Sequence, residues 1–185
     1  MRIITSGRLL LRPWQADDAD FLFDMESRWE VVRFLGPNPR TLRMREEALA
    51  SIRHRREVDH PIHGIWAITT RDGSLVGNLA LVPIPLSAGQ PAVTPPEVEI
   101  GWHLHPHAWG IGYATEAARA VMDDAFAQGL TRIIAVTNVG HEPSQAVCRR
   151  LGMAHLGQTT RYYDTTKELF EKLPVDHLAA LAAHP

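Results

Sequence analysis

Glu99, His103 and His105 stand at alternate positions of VEIGWHLH (Val98 to His105), whose intervening residues Val98, Ile100, Trp102 and Leu104 are apolar. On an extended strand this alternation puts the apolar set on one face and the carboxylate, Gly101 and the two imidazoles on the other. Carboxylates and imidazoles on a partly buried surface are groups that move protons near neutral pH. Glu99 is the candidate general base, acting through water; bonding to neighbouring strands or holding an acceptor are its other readings. The same three side chains could be considered for metal binding. Along a strand at ~3.3 Å per residue they spread over ~20 Å, too far for one ion, so no metal is expected.

The strand runs into WGIGYATEAARA (Trp109 to Ala120), where Gly110 and Gly112 precede a run with helical spacing. A helix that starts directly from a glycine turn leaves its first N–H groups unpaired, at the positive end of the dipole. Such an end binds anions, and the two glycines would let a phosphate reach the backbone. The dinucleotide fingerprint GxGxxG fails here because Thr115 occupies its third glycine, and no GKS or GKT follows as a P-loop requires. Downstream, EPSQAVCRRLG contributes His141 just before it, Ser144 and the single cysteine, Cys148. No His or Asp is placed to activate Ser144 as a nucleophile, so it reads as a ligand contact or helix-start residue.

These residues need a scaffold. RLLLRPW (8–14) reads as a first strand and is followed by a helix opened by Asp17 or Asp18. VVRFLGPNPRT breaks that helix, and TLRMREEALASIRHRREV (41–58) predicts a second, surface helix. GIWAITT and SLVGNLALVPI flank Asp72-Gly73, which predicts a hairpin. PLSAGQPAVTPPE (85–97), with four prolines, is a loop. After Ala114 the apolar period becomes 3.6 through Ala117, Ala118, Val121, Met122, Ala125 and Phe126, with Gly129 as the stop. LTRIIAVT is a strand, EPSQAVCRRLG a short helix, and RYYDTTKELFEKL (161–173) a closing strand. Strands alternating with helices predict an α/β (α+β) chain with a mixed central sheet flanked by helices, and 185 residues predict a single domain over 1–185.

A net charge of −2 gives no electrostatic footprint for direct nucleic-acid binding, and RHRREVDH (53–60) reads as a solvated helix end. One cysteine makes no internal disulfide, and no run approaches the ~20 apolar residues of a membrane span. A cytoplasmic protein without a membrane contact is expected. The tail ELFEKLPVDHLAALAAH is amphipathic to apolar, open to packing on its own domain or in a homodimer.

WGIGYA resembles the acyl-CoA loop Q/R-x-x-G-x-G/A of the Gcn5-related N-acetyltransferases (GNAT), with Trp109 in the place of Gln or Arg. The Rim-type (RimJ/RimL-like) branch, which acetylates ribosomal-protein N-termini, resembles the chain at four segments in order: TSGRLLLRPW, EIGWHLHPHAWGIGYATEA, PSQAVCRRLGM and RYYDTTKELF. The resemblance implies a GNAT fold with a splayed strand pair holding acetyl-CoA as cosubstrate. It implies cofactor contacts from Leu104, His105, Trp109, Gly110, Ile111, Gly112, Tyr113, Ala114, Thr115, His141 and Ser144. It also places the oxyanion donor at a backbone N–H near Leu104 or His105. The chain departs from the pattern where His141 replaces Asn and where Cys148 replaces the Tyr that serves as general acid. Cys148 is therefore either the acid that protonates the CoA thiolate or a small buried residue.

The implied reaction is direct attack of a primary amine on the acetyl-CoA thioester, with a protein N-terminal α-amino group as acceptor. A small-molecule amine (amino sugar, antibiotic or polyamine) is the alternative acceptor. A CoA-binding regulatory domain without turnover is the alternative from another class, and a dinucleotide-dependent oxidoreductase a third.

Overall fold

The computed structural model describes residues 2–58 and 60–174. An eight-stranded sheet carries them, in the order β1 (Ile4–Thr5), β2 (Leu9–Pro13), β3 (Gly64–Thr70), β4 (Leu75–Pro83), β5 (Val98–Leu104), β6 (Ile133–Asn138), β8 (Lys167–Lys172) and β7 (Ala154–Thr159). Every neighbouring pair is antiparallel except β5 with β6. That one parallel pair is joined through α4 (Tyr113–Ala127), as a crossover requires.

Each face of the sheet has its own core. Leu9, Leu11, Ile68, Leu79, Ile100 and their neighbours pack against α4 and α5 (Glu142–Arg150). The stripe expected on α4 is the buried one: Ala117, Ala118, Val121, Met122 and Ala125 face the sheet. The helix stops where Gly129 takes φ +93°, with Leu130 N–H bonded to the Ala125 carbonyl and Gly129 N–H to that of Phe126. On the other face, Trp14, Leu22, Met25, Val31 and Ile52 form the second core from α1 (Ala19–Glu26), α2 (Trp29–Val32) and α3 (Arg45–Arg56).

Several expectations shift. The helix expected over 41–58 is α3, shorter at both ends, and it buries Ala48 and Ile52 rather than lying wholly on the surface. Asp18 precedes α1, but its carboxylate accepts from Arg12 and from the Gln15 N–H instead of capping the helix. The segment 161–166, expected as strand, is a turn in which Tyr163 and Asp164 take positive φ; Tyr162 makes an isolated bridge to Leu86, and the strand itself is 167–172. β7 was not anticipated, because AHLGQT is mostly exposed, has no apolar alternation and is bulged near Gly157. Residues 175–184 of the apolar tail lie outside the described residues.

The sheet's decisive feature is between β5 and β6. They share a single register pair, Glu99 with Ile134, and then part. On its other edge β5 stays tightly laced to β4 through seven register pairs, as far as Gly77 opposite Leu104. Gly77 is required there: a Cβ would lie 2.6 Å from the His103 carbonyl oxygen and 2.9 Å from Leu104 Cα, distances real side chains do not adopt. Gly77→Ala should therefore cost ~1–3 kcal/mol, read as a midpoint lowered by ~2–10 °C in thermal unfolding. A midpoint within one degree of wild type would show that the two strands are not so close.

Candidate active site

β5 bonds to β4 through alternate residues. His105 N–H donates to the Val76 carbonyl at 3.0 Å, so 99, 101, 103 and 105 turn their backbone groups to β4. The intervening N–H groups of Trp102 and Leu104 point to the side that β6 vacates. This corrects the expectation for His105: its N–H is occupied, and its ring Nε2 lies 3.0 Å from Asp24 Oδ2. Leu104 keeps the donor that faces the gap, while its carbonyl accepts from Trp109 Nε1 at 2.8 Å.

Beyond Leu104 a short turn (Pro106–Ala108) leads to the glycines, and α4 begins directly behind Gly112. Gly110 and Gly112 take φ +75° and +88°. A Cβ at Gly110 would meet nothing within 4 Å and one at Gly112 only Arg8 at 3.6 Å, so backbone conformation rather than room calls for glycine. No side chain caps the helix. The N–H groups of Tyr113, Ala114 and Thr115 precede the first helical bond, from Glu116 N–H to the Gly112 carbonyl, and such an end could hold an anion. The acid in this first turn does not repel that anion unopposed: Glu116 accepts from Ser6 and Arg8, and Arg8 also donates to the Ile111 carbonyl and stacks on Tyr113. Arg8 is thus a cation beside the cradle that the sequence did not single out; it is separated from the loop by a hundred residues. A cleft of about 880 Å³ opens next to it, lined by Gly7, Arg8, Thr115, Arg119 and Arg150 among others. Trp109 and Ile111, in the turn itself, are both exposed.

Glu99 occupies the point where β5 and β6 part. Its carboxylate accepts from the Val136 N–H of β6 and from the Tyr163 hydroxyl. Burial pushes its pKa up to about 7, against those two hydrogen bonds and the nearby Lys167 ammonium. Lys167 is itself 4% exposed, donates to Asn138 Oδ1 and lies over the Tyr163 ring, its pKa lowered by burial. Tyr163 and Lys167 escaped the sequence reading because a positive-φ turn and the first position of β8 bring them there. Along the same face Gly101 leaves open space, with nothing within 4 Å of a Cβ. His103 follows, its Nε2 2.9 Å from Glu26 Oε1, with Arg55 on the same carboxylate. The two imidazoles therefore pin α1 to β5 instead of standing free as relays.

The candidates in and just before α5 divide. His141 precedes α5 and stacks on Phe34 with ring centroids 3.8 Å apart; burial and Arg33 lower its pKa. Ser144 is half-buried one turn into the helix. Cys148 corrects its acid assignment: it is 0% exposed in the core with Val147 and Leu151, and burial pushes the thiol up to about 12. It is on the helix side of the sheet, with no exposed surface, whereas Glu99 is on the other.

A gap between two strands, an anion cradle at one end and a buried carboxylate across it suit a ligand with a phosphate tail and a reactive acyl head. The comparisons agree. Residues 8–154 match the model of the acetyltransferase (GNAT) domain. The FsC-acetyl coenzyme A-N(2)-transacetylase of Aspergillus fumigatus is 32% identical over 106 residues, 57% of this chain and 45% of that one, so the match spans less than half of that relative. The uncharacterized N-acetyltransferase YoaA of Bacillus subtilis is 29% identical over 163 residues, 86% of this chain and 87% of that one. A Salmonella typhimurium acetyltransferase, described as modifying the N-terminal serine of ribosomal protein L7/L12, superposes with a TM-score of 0.73 at 16% identity, covering 94% of this chain and 99% of that one. That last likeness is one of fold. With the family model spanning most of its length, the chain belongs to the GNAT family of acetyltransferases and is an acetyl-CoA-dependent N-acetyltransferase.

Proposed function

We propose that the protein transfers an acetyl group from acetyl-CoA to the α-amino group of a polypeptide, with Glu99 as general base. The observation that carries this reading is the Glu99 carboxylate, set where β5 and β6 part, with a pKa raised to about 7. In this reading the pyrophosphate sits on the N–H groups of Tyr113 to Thr115, with Gly110, Ile111 and Gly112 shaping the turn. The pantetheine follows β5 past Trp109, and His141 and Ser144 border it on the α5 side. The thioester oxygen takes the Leu104 N–H, which would stabilise the charge it gains.

The step balances with one base. The amine, deprotonated by Glu99 directly or through water, attacks the carbonyl carbon and the C–S bond breaks. As the amide forms, nitrogen sheds a second proton, and the departing thiolate needs one. No acid on α5 is required, which agrees with Cys148 lying in the core. A protein acceptor is supported by the fold neighbour described as acting on an N-terminal serine. The small-molecule alternative rests on the fungal relative, whose name gives acetyl coenzyme A and an N(2) acceptor.

Acetyl-CoA at ~100 times its dissociation constant should add ~2.7 kcal/mol, a rise of ~5–10 °C in the unfolding midpoint, with NADH giving none. No shift at millimolar acetyl-CoA would remove the cradle assignment.

Glu99→Gln should lower kcat ~10²–10⁴-fold while leaving that thermal shift intact. In the wild type kcat/KM should rise with pH through about 7, since the carboxyl must be ionised to act. In Glu99→Gln only the limb of the acceptor amine should remain. Tyr163→Phe removes a hydrogen bond that favours the carboxylate, so the limb should move to higher pH. An unchanged pH profile in both variants would rule Glu99 out as the base.

A further inference from the structure

The chain carries a net charge of −2, yet residues 28–57 hold eight arginines against four glutamates. The start of that stretch lies beside the active site. Glu26, at the end of α1, is bonded to His103 of β5, and Phe34, beyond α2, stacks on His141 ahead of α5. The segment between them crosses the opening that β5 and β6 leave, on the side where Glu99 lies. Whatever is attached to an amine that reaches Glu99 would pass this segment, from which the loop to α3 continues.

The loop is built to hold something charged. A surface cleft of about 330 Å³ is lined by Trp29, Arg40, Thr41, Arg43 and Glu47. Trp29 is 54% exposed, a large apolar surface left to solvent. Arg40 is tied to Glu47 at 3.1 Å, Arg28 to Asp24, and Arg45 to Asp20. The Glu47 carboxylate also accepts from the Arg43 backbone N–H, which orders the loop and leaves the Arg43 guanidinium outside that pair. Arg33 and Arg43 are among the arginines that, within the described residues, have no carboxylate partner, as are Arg53 and Arg56 on α3. An indole beside unpaired guanidinium groups is the combination that anchors carboxylate-bearing chains: the fork binds two oxygens and the ring takes the aliphatic stem.

We propose that the cleft of Trp29, Arg40 and Arg43, with Arg33 beside it, is the docking surface for an acidic acceptor polypeptide, reading Asp or Glu residues that follow the amino group being acetylated. This rests on the α-amino acceptor reading above and narrows its substrate class. The surface steers the acceptor by charge and holds it by paired carboxylates, so the effect is on capture rather than on the chemical step.

The test is a panel of peptides with one common N-terminal dipeptide, continued by Asp/Glu, by Asn/Gln or by Lys residues. Thiol release is followed with wild type and with Arg43→Glu, at low and high salt, with a small primary amine as reference. The acidic peptide should have a kcat/KM at least ~10-fold above its amide counterpart at low salt, chiefly through KM, and the margin should shrink as salt rises. Arg43→Glu should bring the ratio to about one or below. Its kcat on the small amine and its stabilisation by acetyl-CoA should stay at wild-type values, which shows that the variant is folded. Equal rates on all three peptides overturn the docking surface and leave the α-amino acceptor standing. Turnover of the small amine with no peptide acetylated overturns both. Retardation of a random oligonucleotide by wild type but not by Arg43→Glu, without discrimination among the peptides, would assign the face to nucleic acid instead.

Discussion

The parting of β5 from β6 after one shared pair is the constraint on which the rest depends. A parallel pair left open exposes backbone N–H and C=O groups, and buried ones must find partners. The open edge is met in three ways. The Val136 N–H bonds the Glu99 side chain where an intact sheet would offer a carbonyl. The Leu104 carbonyl is taken by the Trp109 indole. The Leu104 N–H faces the gap and, in the proposed reaction, would meet the thioester oxygen. The residues that hold the gap open are thus the ones that give it chemistry, and Gly77 fixes its near wall by letting β4 press against the end of β5.

The fold also separates two tasks by face. On the helix side, α4 and α5 present a first turn without side-chain caps and a packed apolar interior, suited to an anionic ligand threaded along the sheet. On the opposite side the surface is ionic: His103 with Glu26 and Arg55, His105 with Asp24, and Glu99 with Tyr163 and Lys167. Histidine–carboxylate pairs fasten α1 to β5, and Phe34 on His141 ties the segment after α2 to the start of α5, so α2 is held between them. Position there comes chiefly from Glu26 with Arg55 and His103, a largely buried group that salt screens weakly.

What was legible in the sequence follows the range of the interactions. Alternation in Val98 to His105, the 3.6 period after Ala114 and the glycines at 110 and 112 are local signals, and the structure has each element they predict. The burial of Cys148 was one of two readings, because a small apolar position and a reactive thiol look alike in a helix. Tyr163, Lys167 and Arg8 were not legible as site residues. Each is placed by a pairing of elements distant in sequence, and the turn holding Tyr163 breaks the pattern that had suggested a strand. Edge strand β7 has neither face buried well enough to leave a period.

The pKa of Glu99 connects this architecture to the choice of acceptor. An α-amino group, at ~7.7–8.0, lies about one unit above a carboxyl at about 7, so moving its proton to Glu99 costs only ~1 kcal/mol. A lysine side chain at ~10.4 would need ~4–5 kcal/mol for the same transfer, before any barrier to acyl transfer. A carboxyl left at its usual value of ~4.3 would raise both costs by several kcal/mol. With Glu99 as base, burial at the parting strands would bring it within range of one class of amine, while Tyr163 and Lys167 limit the rise and leave Glu99 about half ionised at pH 7. Selectivity for the amine would then begin in the protonation equilibrium of a single strand residue, and the surface beyond Trp29 would act on what the amine is attached to.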